Sequence, residues 1–432
     1  MIRDRPLAQR VRWTELMLLP LPLLFLILGL GLLSLARPGT VQEWHFRGAA
    51  AMSALLLFAH LVLLWRSPRA DQLLLPMVAM LVGVGLVVVT RLTPELALRQ
   101  LLWVALGFTL MIGTVLFLPS VAILQSYKYS AAILGLLLVG TTFVLGTDPN
   151  DSGVRSWLAL GGMMFQPSEI LKVLLAIFLA AYLEDKRELL TWSSSRLVGL
   201  KLPPLPYLGP LAVMWALSMA MLVAQRDVGA ALLFFCIYLA MLYVASSRAI
   251  YVWGGLAAFA AGAYFCFLLF AHIRLRVEVW LDPWSFADAQ GYQIVQALVA
   301  MATGGLVGSG LGQGYPGFIP AVHTDFVIAA IGEEFGLVGT LGVVALFMLL
   351  VYRGFRIALD ASHAFSSLLA TGLTTILGVQ AFVILAGTTK LIPLTGITLP
   401  FVSYGGSSII TNFIIIGLLL RVSADRGGDR GD

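Results

Sequence analysis

The chain is 432 residues long, 59% hydrophobic and only 11% charged, with a formal net charge of +5. Soluble domains are roughly 45–50% apolar and about 25% charged, so a soluble globular protein is excluded. The cations sit in short stretches between apolar runs rather than in a patch, which points to membrane lipid and not nucleic acid as a partner. Cys236 and Cys266 both lie within apolar runs, and the five histidines are scattered without a His-x-x-x-His pair. Neither a disulfide framework nor a metal site built of His or Cys is expected.

Apolar runs long enough to cross a hydrocarbon core of roughly 30 Å recur along the whole length. They predict an all-α, polytopic integral membrane protein with about twelve transmembrane helices, near 14–36, 47–65, 72–91, 100–118, 129–146, 168–184, 208–225, 228–246, 249–271, 326–352, 365–387 and 404–421. The first run is too long for a signal-peptide core and lacks a small-x-small site after it, so it reads as a retained span. An even number of spans places both termini on one side. The Lys and Arg bias, including Arg3, Arg5, Arg10, Arg12, Arg66, Arg69, Arg353, Arg356 and Arg421, makes that side cytoplasmic. The Gly-rich polar end, 424–432, reads as a disordered tail.

That topology leaves three segments on the extracytoplasmic side that are more than turns: Thr147–Gln166, His272–Asp325 and Gly387–Ser403. The middle one, roughly fifty residues, far exceeds the common connection of about 4–6, and long loops in compact proteins tend to be functional. The working surface is therefore expected there.

In chain order, "FQPSEILK" places Ser168 as a helix cap after Pro167, with Glu169 in the first turn. Lys172 follows Glu169 by three residues on one helical face, so an intrahelical ion pair is available, either purely structural or lining a polar cavity. "AQRDVGAALL" puts Arg226 and Asp227 between two apolar runs, as a tight turn or as a polar floor under a cavity. "WLDPWSFADAQGYQ" carries two carboxylates, Asp282 and Asp288, among Trp280, Trp284, Phe286 and Tyr292. It reads either as an interfacial belt or as a base held at the membrane surface.

"MATGGLVGSGLGQGYPG" lacks Gly-Lys-Ser/Thr and so is no Walker loop; its alternating glycines read equally as a curved backbone whose amides hold an anion or as a merely flexible loop. "HTDFVIAAIGEEFGLVG" sets His323, Asp325, Glu333 and Glu334 within about three helical turns. Ionisable groups at that depth are costly unless they face protein or water. "KLIPLTGITLPFVSYGGSS" breaks an apolar region with Pro393, Gly396, Pro400, Gly405 and Gly406, which implies burial in protein or a wet cavity.

Taken together, "GVRSWLALGGMMFQPSEILK", "AQRDVGAALL", "GYQIVQALVAMATGGLVGSGLGQG", "HTDFVIAAIGEEFGLVG" and "IPLTGITLPFVSYGGSS" resemble, in order, the motifs of the SEDS family, which includes the RodA, FtsW and SpoVE groups. The resemblance implies a ten-helix core over 72–423, with the large extracytoplasmic loop at 272–325. The segment 1–71 then holds a cytoplasmic arm and two added helices.

The same resemblance implies a peptidoglycan glycosyltransferase that polymerises lipid II at the outer face of a bacterial cytoplasmic membrane. Elongation and division are both compatible roles, and a class B penicillin-binding protein transpeptidase is the implied partner. The substrate cavity is expected to draw on Arg155, Gln166, Ser168, Glu169, Lys172, Gln225, Asp227, Tyr292, Gln293, His323, Thr324, Asp325, Glu333, Glu334, Ser403 and Tyr404. In the family pattern a second Asp before "GYQ" is the catalytic residue. Aligned without gaps, that position is Phe286, and Asp288 stands two residues later. A two-residue insertion with a matching deletion restores the Asp, so Asp288 is the expected catalytic base, with Asp282 in reserve.

No organic cofactor is expected. A divalent cation, Mg or Mn, is expected to be weakly bound, through carboxylates and substrate oxygens. The alternative reading is a flippase or transporter of a lipid-linked precursor. A flippase has no need of a base on the outer loop, which favours the polymerase.

Overall fold

The computed structural model describes residues 12–147, 156–160, 163–187, 195–197, 200–202, 216 and 227–425. Within these, the helices are α1 Trp13–Leu18, α2 Pro20–Ala36, α3 Glu43–Arg66, α4 Leu74–Leu92, α5 Pro94–Phe117, α6 Ile123–Ser126, α7 Lys128–Leu145 and α8 Pro167–Asp185. They continue as α9 Val228–Ser246, α10 Ala249–Leu269, α11 Ala271–Leu281, α12 Tyr292–Gly304, α13 Val327–Leu359, α14 Ala364–Thr388 and α15 Gly406–Ala424. Two small antiparallel hairpins complete the set. One pairs β1 Leu158–Leu160 with β2 Met163–Phe165, and the other pairs β3 Ser195–Leu197 with β4 Leu200–Leu202.

Nine helices among the described residues are long and apolar enough to cross a membrane. The expected spans near 129–146 and 168–184 are also helical, as α7 and α8, and only the one near 208–225 falls largely outside the described residues. The stretch 272–325 is not a bare loop. It contains α11, a 3-10 turn at Trp284–Phe286, α12 and a second 3-10 turn at Pro316–Phe318.

The chain forms two compact units. The first contains the described residues of Met1–Pro119, His272–Arg353 and Gln380–Ala424, and the second those of Ser120–Ala271, Gly354–Val379 and Asp425–Asp432. In hydrocarbon, helices associate through close packing rather than through expulsion of water, so small residues mark the contacts. In the first unit α15 lies along α5. Gly107 faces the Phe413 ring, and Gly417 faces the Met111 carbonyl and Thr114. α2 packs on α4 where Gly29 meets Val87, and α3 packs on α5 where Gly48 meets Leu101. The remaining face of α2, with Leu21, Leu24, Ile27, Leu28, Leu32 and Leu35, is exposed, as suits contact with lipid.

A buried polar knot fastens α1 to the rest of this unit. Arg12 and Glu15, both fully buried, form an ion pair. His60 Nδ1 lies 2.7 Å from Glu15 Oε1, and the Arg12 guanidinium donates to the carbonyls of Ala70 (2.7 Å) and Asp71 (2.8 Å). In the second unit α7 and α9 pack on α8, and α10 packs on α9 where Gly255 meets Leu239.

Candidate active site

Three segments of the first unit are tied into one face. From α11, Trp280 Nε1 donates to the Lys390 carbonyl (3.0 Å), and Lys390 Nζ donates back to the Leu281 carbonyl (3.3 Å). Arg276 donates to the Leu394 carbonyl at 3.3 Å. The residues just before α13 are held from the other side. Ser403 Oγ donates to the Thr324 carbonyl (2.5 Å), Tyr404 N to the His323 carbonyl (2.8 Å) and Thr388 Oγ1 to the Asp325 carbonyl (3.3 Å). Gln293, one residue into α12, reaches the Pro320 carbonyl at 3.3 Å. Beneath these ties lies an apolar floor of Val279, Ile294, Ala297, Ile319, Val322 and Phe326. Rigid backbone above a packed floor is what a site needs if its polar side chains are to be held in place.

The turn between α11 and α12 displays the two candidate carboxylates differently. It is closed by backbone bonds from Phe286 N to the Pro283 carbonyl and from Gly291 N to the Phe286 carbonyl. A side chain at 291 would stand 2.5 Å from the Pro283 oxygen, so only glycine closes it. Phe286 is partly buried against the apolar floor, whereas Asp288 is exposed at the tip. Asp282 is also exposed, but it is engaged. Its carboxylate accepts from Ser285 Oγ (2.5 Å) and Ser285 N (3.4 Å). Those bonds to Ser285 hold its carboxyl below the usual range. Asp288 has no hydrogen-bond partner among the described residues.

Asp325 sits immediately before α13. Burial pushes its carboxyl up to about 6, against the opposing pull of the Thr324 hydroxyl and the Arg276 charge. His323 is lowered by burial, with Glu95 acting the other way. Its ring meets Tyr404 edge-on at 5.8 Å. The face thus carries a base, a carboxyl near neutrality and an exposed guanidinium. Tyr292 is half-buried at the start of α12.

Glu333 and Glu334 do something different. α13 breaks at Gly336, whose φ is +67°, and the glycine-rich segment after α12 threads against that break. Ser309 N and Gly310 N donate to the carbonyls of Glu333 and Glu334, while Leu337 N and Val338 N donate to those of Gly305 and Leu306. A side chain at 308 would lie 2.3 Å from the Glu334 carbonyl oxygen, which explains glycine there. The side chains then grip the next turn. Glu334 accepts from Gly312 N (3.1 Å) and from Arg91 Nε (2.8 Å), and Glu333 accepts from Tyr315 N (2.7 Å). The curved backbone does hold an anion, but the anion is the protein's own carboxylate. Arg37 and Arg91 add bonds to the Gly314 carbonyl (3.2 and 2.8 Å). Neither arginine stands out in the sequence, since each reads there as an ordinary cation at the end of an apolar run.

In the second unit, Lys172 Nζ donates to Glu169 Oε2 at 2.5 Å, the expected i,i+3 pair. Gln166 precedes α8 and Pro167 takes its first position, so Ser168 is a buried first-turn residue rather than the cap. Asp227 caps α9 by accepting from Ala230 N (2.9 Å) and also accepts from Gln166 Nε2 (3.2 Å). Arg155, Gln225 and Arg226 lie outside the described residues.

Among the described residues no three His, Cys, Asp or Glu side chains converge as an ion cage.

A family model described as Cell cycle protein, for the FtsW, RodA and SpoVE groups, matches residues 71–427. The chain is 41% identical over 377 residues to a protein named Peptidoglycan glycosyltransferase RodA from Mycobacterium tuberculosis (strain ATCC 25618 / H37Rv), covering 84% of this chain and 80% of the relative. Among solved structures, a chain from a peptidoglycan synthase complex described as coordinating polymerization and crosslinking has a TM-score of 0.69 at 30% identity, covering 83% of this chain and 99% of that one. The Rod shape determining protein RodA of Thermus thermophilus has a TM-score of 0.58 at 27% identity, over 83% of this chain and 98% of that one.

Proposed function

The chain belongs to the FtsW, RodA and SpoVE family of multi-span membrane proteins, and from that premise we propose that it is a peptidoglycan glycosyltransferase. The observation that carries this reading is the likeness over most of its length to a named peptidoglycan glycosyltransferase. The loop face of the first unit supports it, because an exposed carboxylate with no hydrogen bond among the described residues, beside a packed floor, suits a polymerase better than a flippase.

The substrate is lipid II, presented at the outer face of the cytoplasmic membrane, and both termini are cytoplasmic. In each step the 4-hydroxyl of an acceptor sugar attacks the anomeric carbon of the donor chain. The hydroxyl proton passes to Asp288, the new C–O bond forms, and the bond to undecaprenyl diphosphate breaks. Asp288 fits the base because its oxygens are unengaged, whereas the oxygens of Asp282 are held by Ser285. The exposed guanidinium of Arg276 is available to the departing diphosphate.

Among the described residues no three carboxylates gather around a common point. A weakly held Mg or Mn would be a companion of the diphosphate and would supply charge neutralisation when bound. A class B penicillin-binding protein is the proposed partner, in line with the crosslinking complex that the fold resembles.

Polymerisation of labelled lipid II by the purified full chain, with and without that partner, tests the reading. Glycan strands that vanish in Asp288→Asn are the expected result. Lipid II transport across vesicles without any polymer is the result that replaces the polymerase by a flippase.

A further inference from the structure

A cavity of about 600 Å³ lies where the crossing between α2 and α3 meets the start of α5. It is lined by Thr40, Gln42, Trp44, His45, Pro94 and Glu95, among others. Its size falls in the roughly 300–1,000 Å³ range of small-molecule sites. The catalytic reading above makes no use of it, and it belongs to the added N-terminal hairpin as much as to the family core.

Its chemistry is specific. The Trp44 ring is fixed on both counts that matter: it stacks on His45 at 3.6 Å, and its Nε1 donates to Gln42 Oε1 at 2.8 Å. The indole is therefore pre-oriented, and ordering it on binding costs little. His45 Nδ1 lies 3.0 Å from Gln42 N and 3.3 Å from the Gln42 carbonyl, and the buried Nε2 has no partner among the described residues. Glu95 is exposed, and its carboxylate has no hydrogen bond among the described residues. No lysine or arginine lines the cavity. A phosphate-bearing group would meet only the negative charge of Glu95 there, whereas a neutral polyol would find a flat apolar ring beside a strong acceptor.

We propose that this cavity is a carbohydrate subsite that takes a neutral, N-acetylated amino sugar, with its C–H face on Trp44 and its hydroxyl or acetamido N–H groups donating to Glu95. Its place ties it to the working face. Glu95 is within electrostatic reach of His323, two residues from Asp325. Resting on the polymerase reading, the occupant is a sugar of the growing glycan away from its diphosphate-bearing end, because a diphosphate has no cation to meet here. The site would hold the strand near the membrane between successive additions.

The test is direct binding, free of turnover. Full-length protein in phosphatidylcholine nanodiscs is titrated with soluble tetra-N-acetylchitotetraose and followed by saturation-transfer NMR of the sugar. The expected result is saturable binding that weakens about fivefold to tenfold in Trp44→Ala, the size of one lost aromatic contact, and in Glu95→Gln, while Trp44→Phe keeps it. Because Glu95 is exposed, its variant decides the matter even where Trp44→Ala fails to fold. Absence of binding by the unaltered protein overturns the proposal, and so does equal binding by Glu95→Gln. Binding confined to nanodiscs that carry a glucosyl diacylglycerol, with none of the soluble sugar, also overturns it. Absence of lipid II polymerisation by the unaltered protein together with sugar binding would count against the polymerase reading and leave the sugar site standing.

Discussion

Arg91 Nε donates to Glu334 Oε1 at 2.8 Å, and the side chains are only 8% and 4% exposed. Each charge has the other as its nearest answer, and both hold the backbone of the Gly312–Tyr315 turn. Removing one partner from a buried pair typically costs about 3–5 kcal/mol, because the other is left uncompensated. Arg91→Met and Glu334→Leu are each expected to lower the thermal unfolding midpoint markedly, and the double variant to lower it by less than the sum. Strict additivity in a double-mutant cycle would show that the two do not act together.

Asp288→Asn is expected to reduce glycan synthesis by roughly 10²–10⁴, the usual worth of a general base, without changing the unfolding midpoint, since Asp288 has no hydrogen-bond partner to lose among the described residues. Asp282→Asn is expected to retain most activity and instead to loosen the 282–286 turn. Rates of lipid II polymerisation for the two variants side by side decide this. The reverse pattern would transfer the catalytic role to Asp282.

Asp325 gives a pH signature. Its carboxyl is raised to about 6 in the folded chain from an ordinary 3.8. The folded state therefore holds this proton more tightly than the unfolded one. The stability it contributes is full below about pH 4 and is lost as pH rises through about 6. A shift of about two units sets a ceiling of roughly 3 kcal/mol. Asp325→Asn should flatten the fall in unfolding midpoint between about pH 4 and pH 6. A fall of unchanged depth in that variant would assign the titration to another group.

Glu169 and Lys172 invite the same cycle within a single helix. Lys172 is 1% exposed and Glu169 11%, so either charge alone has no water to turn to. Glu169→Leu and Lys172→Met should each destabilise more than the double variant does. Single variants within about 0.5 kcal/mol of the unaltered protein would mean that the pair is energetically idle.

Divalent cations provide the last comparison. EDTA is expected to slow glycan synthesis and Mg or Mn to restore it, with no effect of EDTA on the unfolding midpoint, because no described carboxylate cluster depends on an ion for its folding. Full polymerisation in EDTA would remove the metal from the mechanism.

The helices are legible in the sequence because spanning hydrocarbon leaves a blunt mark: a run of apolar residues long enough to cross, as in Leu74–Leu92 or Gly406–Ala424. What escapes is contact between distant residues. Gly336 looks like any glycine in an apolar helix, and nothing near it in sequence announces that Gly305–Gly310 will bond to the break. Curvature can be read from the alternating glycines, but not the identity of the anion, because Glu334 lies 22 residues beyond Gly312. Ser168 has a capping side chain, yet Pro167 already occupies the first helical position, and so the start falls two residues earlier than residue type suggests. The turn that carries the proposed base is harder still. Asp282 and Asp288 have the same chemistry, and only the bonds from Ser285 tell them apart.

The threading of Gly305–Gly310 against the break in α13 also sets a timetable for biogenesis. Residues 305–310 leave the ribosome ahead of residues 333–338, so the amides of Ser309 and Gly310 and the carbonyls of Gly305 and Leu306 emerge before their partners. The glycine segment must stay in water, or at the headgroup level, until α13 has entered the bilayer, because unmatched backbone cannot rest in hydrocarbon. The arch and the broken helix are each other's template, and this part of the protein closes only after translation has passed both.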